Sequence, residues 1–120
     1  MVAVERVPVP PLTAIGLPEF SDFEHGDYAG ITFKDTYFVR ATEINNESLH
    51  FHELVHVVQW VYLGVDNFLL AYAAGLVANG YRTSPLEAMA YDLQAYFDQN
   101  GEPCDVESEV RNNLIALYWR

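Results

Sequence analysis

The stretch Asn46-Glu47-Ser48-Leu49-His50-Phe51-His52-Glu53-Leu54-Val55-His56-Val57-Val58-Gln59-Trp60-Val61-Tyr62-Leu63-Gly64 decides how the rest of the chain is read. No helix breaker falls between Glu47 and Leu63. Asn45 or Asn46 can cap the start, and Gly64 can end it. At about 100° per residue, Leu49, Trp60 and Leu63 share the face of His52 and His56. Phe51, Leu54, Val58, Val61 and Tyr62 cover most of the remainder, and a helix apolar nearly all round is expected to be central and buried.

His52 and His56 stand four residues apart, so both imidazoles leave one face of that helix, one turn from each other. A divalent metal needs this geometry to take two nitrogens from a single rigid element. Glu53 lies about 100° round the helix, beside the metal position, where it can accept a proton from water. The competing reading is coincidence. His-Glu-x-x-His arises by chance in roughly one sequence of this composition in a hundred. Coincidence would also leave two histidines and a carboxylate buried without partners, which is costly. Gln59, three residues beyond His56, is either a hydrogen-bond partner of a ligand or a buried amide satisfied by backbone.

Upstream, Tyr28 to Ala41 carries the clearest strand signal. Gly30-Ile31-Thr32-Phe33 and Tyr37-Phe38-Val39-Arg40 flank the polar break Lys34-Asp35-Thr36, which predicts a hairpin or two consecutive strands. Residues 1–27 are rich in proline and glycine and read as loops and short extended pieces such as Val2–Val9 and Leu12–Ile15. Downstream, Asp66 or Asn67 can start a second helix ending near Asn79-Gly80. Its Ala73, Ala74, Gly75 and Ala78 would permit close helix approach. Ser84-Pro85-Leu86-Glu87 opens a third helix running to about Asp98, and Asp105 can cap a fourth reaching Tyr118. Strands first and helices later predict an α+β fold: a small antiparallel or mixed sheet followed by three to four helices.

The third ligand has several candidates. A glycine three residues after His56 and a histidine six after, the metzincin pattern, are absent, because those positions are Gln59 and Tyr62. His50 is about 200° from His52 and faces elsewhere. His25 lies in a loop and reaches the site only if that loop folds over it. Glu87 is the better candidate, although the same residue can be the glutamate of a capping box. Asp66 and Asp92 are the remaining carboxylates to consider, with Asp92 about 140° from Glu87 and so expected at the flank.

With the histidine helix, a backing segment and a glutamate on a later helix, the chain resembles the gluzincin metallopeptidases. The likeness is strongest to their smallest, minigluzincin-like members and covers roughly Tyr28 to Tyr96. It implies one zinc ion per chain held by His52, His56 and Glu87, with a fourth position open for water. It implies a peptide or protein substrate lying along the sheet edge near Ile31–Phe33 or Tyr37–Val39, and Glu53 as general base. An oxyanion donor is implied as well; Tyr81 and Tyr91 are nearest in sequence, though core packing is the default role for each of eight tyrosines. The alternative is a metal-binding structural or interaction domain without turnover.

Composition narrows the field further. At 120 residues the chain is expected to be a single domain, and 51% hydrophobic residues suffice for a packed core. A net charge of −11, with six Lys and Arg, offers no phosphate-binding surface, so nucleic acid is not an expected partner. The one cysteine, Cys104, permits no internal disulfide, and its acidic neighbours disfavour a reactive thiolate. The N-terminus has no signal-peptide pattern, and the longest uncharged apolar run, Phe68 to Ala78, is too short to span a bilayer. A cytoplasmic protein without a membrane partner is the expectation. Oligomeric state leaves no trace in the sequence.

Overall fold

Val39, wholly buried at the centre of a three-stranded sheet, marks where the strands meet the helices. The computed structural model describes residues 1–8, 28–100 and 105–118. Within them the strands are β1 (Val2–Val4), β2 (Gly30–Phe33) and β3 (Thr36–Arg40). The order β1-β3-β2 makes a mixed sheet: β1 pairs parallel with β3, and β2 pairs antiparallel with it. A short 3-10 turn at Ala41–Glu43 leads to four helices: α1 (Glu47–Leu63), α2 (Val65–Asn79), α3 (Pro85–Asn100) and α4 (Val106–Tyr118). This is the α+β arrangement expected from the order of strand and helix signals.

The hairpin is tighter than its polar break suggests. Thr36 belongs to β3 and pairs with Phe33, so the turn is Lys34-Asp35 alone, with Lys34 at φ 57 in the left-handed region. Side chains alternate across a strand, and the register places Gly30, Thr32, Tyr37 and Val39 on one face. That face packs on α1: Thr32 bonds Glu53, and Tyr37 bonds His50. Gly30 has a specific reason to lack a side chain. A Cβ there would lie 3.2 Å from Glu53 Oε1 and 3.1 Å from the Phe38 carbonyl oxygen.

Helix α1 is capped by Asn46, whose side chain accepts from the Leu49 N–H, and stops at Gly64 with φ 80. It is central, packed between the sheet and the helices α3 and α4. Its burial is nevertheless one-sided. Phe51, Val55, Trp60 and Leu63 join the core with Leu86, Met89 and Ala90 of α3 and Val110 and Leu114 of α4. Leu54 and Val61, expected inside, are 44% and 68% exposed. Seven residues apart, they lie on one strip that neither the sheet nor the helices cover.

Helix α2 begins at Val65 with Gly64 before it, one residue ahead of the expected Asp66. It backs α1 and also meets α3. Of the small residues that permit close approach, Gly75 is the buried one, and a Cβ on it would stand 3.0 Å from Pro85 Cδ and 3.1 Å from Ser84 Cβ. The contact sets the start of α3 against α2. No described helix is long and apolar enough to cross a membrane. Leu12–Ile15, His25 and Cys104 lie outside the described residues.

Candidate metal centre

His52 and His56 project from α1 toward the first turn of α3, where Glu87 meets them. Glu87 Oε1 lies 3.0 Å from His52 Nε2 and 3.0 Å from His56 Nε2, and the two nitrogens are 3.2 Å apart. All three residues are buried, with 3–5% of their surface exposed. Two ligands each 2.0–2.1 Å from a tetrahedral metal are about 3.3 Å from one another. The observed triangle is close to one face of that tetrahedron, slightly contracted. Among the described residues, this group brings its ligand atoms within 4.8 Å of one another.

The outer nitrogens explain why the inner ones matter. His52 Nδ1 lies 2.9 Å from Gln94 Oε1, and His56 Nδ1 lies 2.7 Å from Gln59 Oε1. A carbonyl oxygen only accepts, so each Nδ1 must carry a hydrogen. In a neutral ring that leaves the Nε2 lone pair facing inward. Two nitrogen lone pairs and a carboxylate oxygen then converge on one buried point. Such a point requires a cation, either a proton on a ring or a metal ion. The donor set, two imidazoles and one carboxylate, suits zinc and other borderline divalent metals.

Electrostatics without a metal show how the cluster satisfies itself. Burial pulls the His56 imidazolium down, yet the charge and hydrogen bond of Glu87, helped by Glu53 and Gln59, outweigh it and raise the pKa to about 9. Burial pushes the Glu87 carboxyl up, and His56 and His52 together hold it well below the usual carboxylate range. The second oxygen of Glu87 accepts from Tyr72 OH at 2.5 Å. Burial and the neighbouring Glu87 charge keep the Tyr72 phenol protonated, with a pKa well above the ordinary value.

Both oxygens of Glu87 are thus directed into the cluster. Ser84 Oγ donates to the Tyr81 carbonyl at 3.0 Å. The two alternatives for Gln59 turn out to be one arrangement. The side chain is wholly buried, accepts from His56, and donates to the Leu86 carbonyl at 3.1 Å. His50 faces away, as expected, and bonds Tyr37 OH and the Ile44 carbonyl. Asp66 and Asp92 are exposed and take no part.

Glu53 sits beside this triangle, with 4% of its surface exposed. Its Oε2 accepts from Thr32 Oγ1 at 2.8 Å. With His52 it lines a cleft of about 460 Å³ bounded by Tyr28, Gly30, Tyr81, Tyr91 and Gln94. Tyr91 lies edge-on to His52, with ring centroids 4.5 Å apart, and the Arg82 guanidinium stacks over the Tyr91 ring, 3.6 Å from its centroid. Both tyrosines named from the sequence therefore border the same space.

Three partners escaped the sequence reading. Gln94 had a usable signal: Glu87, Tyr91 and Gln94 follow at i, i+4 and i+7, one face of α3. Thr32 had a weaker one, because it shares the inner face of β2 with Gly30. Tyr72 had none, being one tyrosine in an apolar helix. Comparisons of the chain with protein-family models, with curated proteins and with solved structures find no match.

Proposed function

We propose that the chain is a zinc-dependent peptidase of gluzincin type, with His52, His56 and Glu87 as metal ligands and Glu53 as general base. One observation carries the reading: three buried ligand atoms converge at a spacing that could hold a metal ion, and a carboxylate stands beside them facing a cleft. A structural site would need the ligands but not a buried carboxylate at the mouth of an open space.

Bound zinc would polarise the scissile carbonyl and make the attacking water more acidic. Glu53 takes the proton of that water and returns it to the leaving amine, while Thr32 holds the carboxylate in place. Substrate would add along β2, since β3 is the central strand and has no free edge. The Arg40 N–H bonds the Ala29 carbonyl at 2.9 Å, which sets the phase of the ladder. Ile31 and Phe33 then bond inward to β3, and the backbone groups of Gly30 and Thr32 point outward, paired with no strand among the described residues, where an extended peptide could add.

Purified without chelator, the protein should carry about one zinc per chain. His52→Ala or His56→Ala should lose it and melt at lower temperature. Glu53→Gln should keep metal and fold while losing peptide hydrolysis. Wild-type protein that stays metal-free under excess zinc sinks the metal site. A zinc-loaded protein cleaving no peptide, or cleaving equally well as Glu53→Gln, sinks the peptidase.

A further inference from the structure

Each ligand-bearing helix supplies one glutamine to the outer side of the histidine pair. Gln59 of α1 meets His56, and Gln94 of α3 meets His52. The Gln59 amide can point only one way. Its Nε2 donates to the Leu86 carbonyl at 3.1 Å and lies 3.2 Å from Met89 Sδ, and turning it over would oppose two oxygens. Leu86 is the residue immediately before Glu87. One buried side chain therefore touches the ring of one ligand and the backbone next to another.

We infer that Gln59 and Gln94 are positioning residues that hold both imidazoles with Nδ1–H outward and Nε2 toward Glu87, and that Gln59 also clamps the first turn of α3 in register with α1. The inference deepens the metal-site reading and rests on it. An unheld imidazole can carry its proton on either nitrogen or rotate its ring, and either change puts an N–H or a carbon where the ion belongs. Two helices must also stay in register for the Glu87 oxygen to meet both nitrogens at 3.0 Å. The amides accomplish this without adding charge to a site that already holds two carboxylates nearby.

The two glutamines should respond differently to the same substitutions. Gln94→Leu removes the acceptor for His52 and should weaken zinc binding by about 10–100-fold, measured by titrating zinc against a competing chelator. Gln94→Glu restores an accepting oxygen and should recover wild-type affinity or better. Gln59→Glu keeps the acceptor for His56 but sets an oxygen against the Leu86 carbonyl, so its affinity should fall. Thermal melting of each metal-free variant identifies any that fails to fold. Gln94→Leu binding zinc like wild type, or Gln94→Glu binding as weakly as Gln94→Leu, overturns the positioning role. Gln59→Glu with wild-type affinity overturns the clamp. Imidazole NMR needs no metal and separates this idea from the metal site itself. Metal-free wild-type protein at neutral pH should show slowly exchanging Nδ1–H signals for both rings, the His52 signal vanishing in Gln94→Leu. Absence of both signals from the wild type overturns the positioning role whether or not zinc binds.

Discussion

Thr32 Oγ1 donates to Glu53 Oε2 at 2.8 Å, a bond that joins the edge strand of the sheet to the carboxylate beside the histidine pair. Because β2 bears both this hydroxyl and the outward-facing backbone of Gly30 and Thr32, the proposed substrate and the proposed base would be positioned by the same strand. Thr32→Val should keep zinc content and fold but lower kcat by roughly tenfold, since a misaimed base costs more in turnover than in binding. Thr32→Ser should restore it. Steady-state kinetics on a peptide substrate check this, and an unaffected kcat in the valine variant would free Glu53 from dependence on the strand.

Glu87 can be separated from its capping alternative by two substitutions. Glu87→Gln should weaken zinc affinity by an order of magnitude or more, because a neutral amide replaces a carboxylate ligand. Ser84→Ala removes a hydroxyl bonded to the Tyr81 carbonyl and should cost about 1 kcal/mol of stability with zinc affinity nearly intact. Chelator competition and thermal melting on both variants make the comparison. Equal zinc affinity in Glu87→Gln and wild type would remove Glu87 from the ligand set.

The cluster has a definite pH signature in the metal-free protein. The His56 pKa is raised from 6.5 to about 9, so its contribution to stability is full below 6.5 and is lost as pH rises through about 9. The Glu87 pKa is lowered from 4.5, so its contribution is full above 4.5 and is lost as pH falls through the lowered value. Metal must displace the His56 proton. Apparent zinc affinity should therefore rise about tenfold per pH unit from neutrality to about 9 and level off above it. Zinc competition over that range, corrected for chelator protonation, tests it; a flat profile would contradict the coupling of His56 to Glu87.

Gly75→Ala probes the seat of Glu87. Alanine favours helix by up to about 1 kcal/mol over glycine, but here its methyl would meet Pro85 Cδ at 3.0 Å and Ser84 Cβ at 3.1 Å. The proline ring cannot swing aside, so overpacking should outweigh propensity and cost about 1–3 kcal/mol net. Melting temperature should fall, with zinc affinity falling alongside it as the first turn of α3 shifts. A raised melting temperature would show that α2 and α3 can separate without strain.

Local chemistry made most of the architecture readable in advance. Asn46, Gly64, Gly80 and Pro85 punctuate the helices where capping and backbone geometry require, and β-branched and aromatic residues mark β2 and β3. What did not show was contact between distant segments. The parallel pairing of Val2–Val4 with Phe38–Arg40 depends on chain reversal that no local signal encodes. Leu54 and Val61 are exposed on a helix expected to be buried all round, because composition gives a helix no orientation, and only the sheet and helices around α1 decide which strip stays open. At the site, His52, His56 and Glu53 follow from spacing alone. Gln94, Thr32 and Tyr72 follow from tertiary packing, each bonded to a residue at least fifteen positions away.

The bond between His56 and Glu87 also spans thirty-one positions of the chain, enclosing the whole of α2. An ion shared by those residues would act as a removable cross-link across that loop. Holding a loop of this length closed costs chain entropy, about 4 kcal/mol in the treatment used for covalent bridges, and an ion bound to the folded state would help offset it. Stripping the ion should therefore loosen one segment before the others. Hydrogen exchange and limited proteolysis would find α2, with Leu70 and Val77 already 68% exposed, as the part of the molecule that chelation opens first.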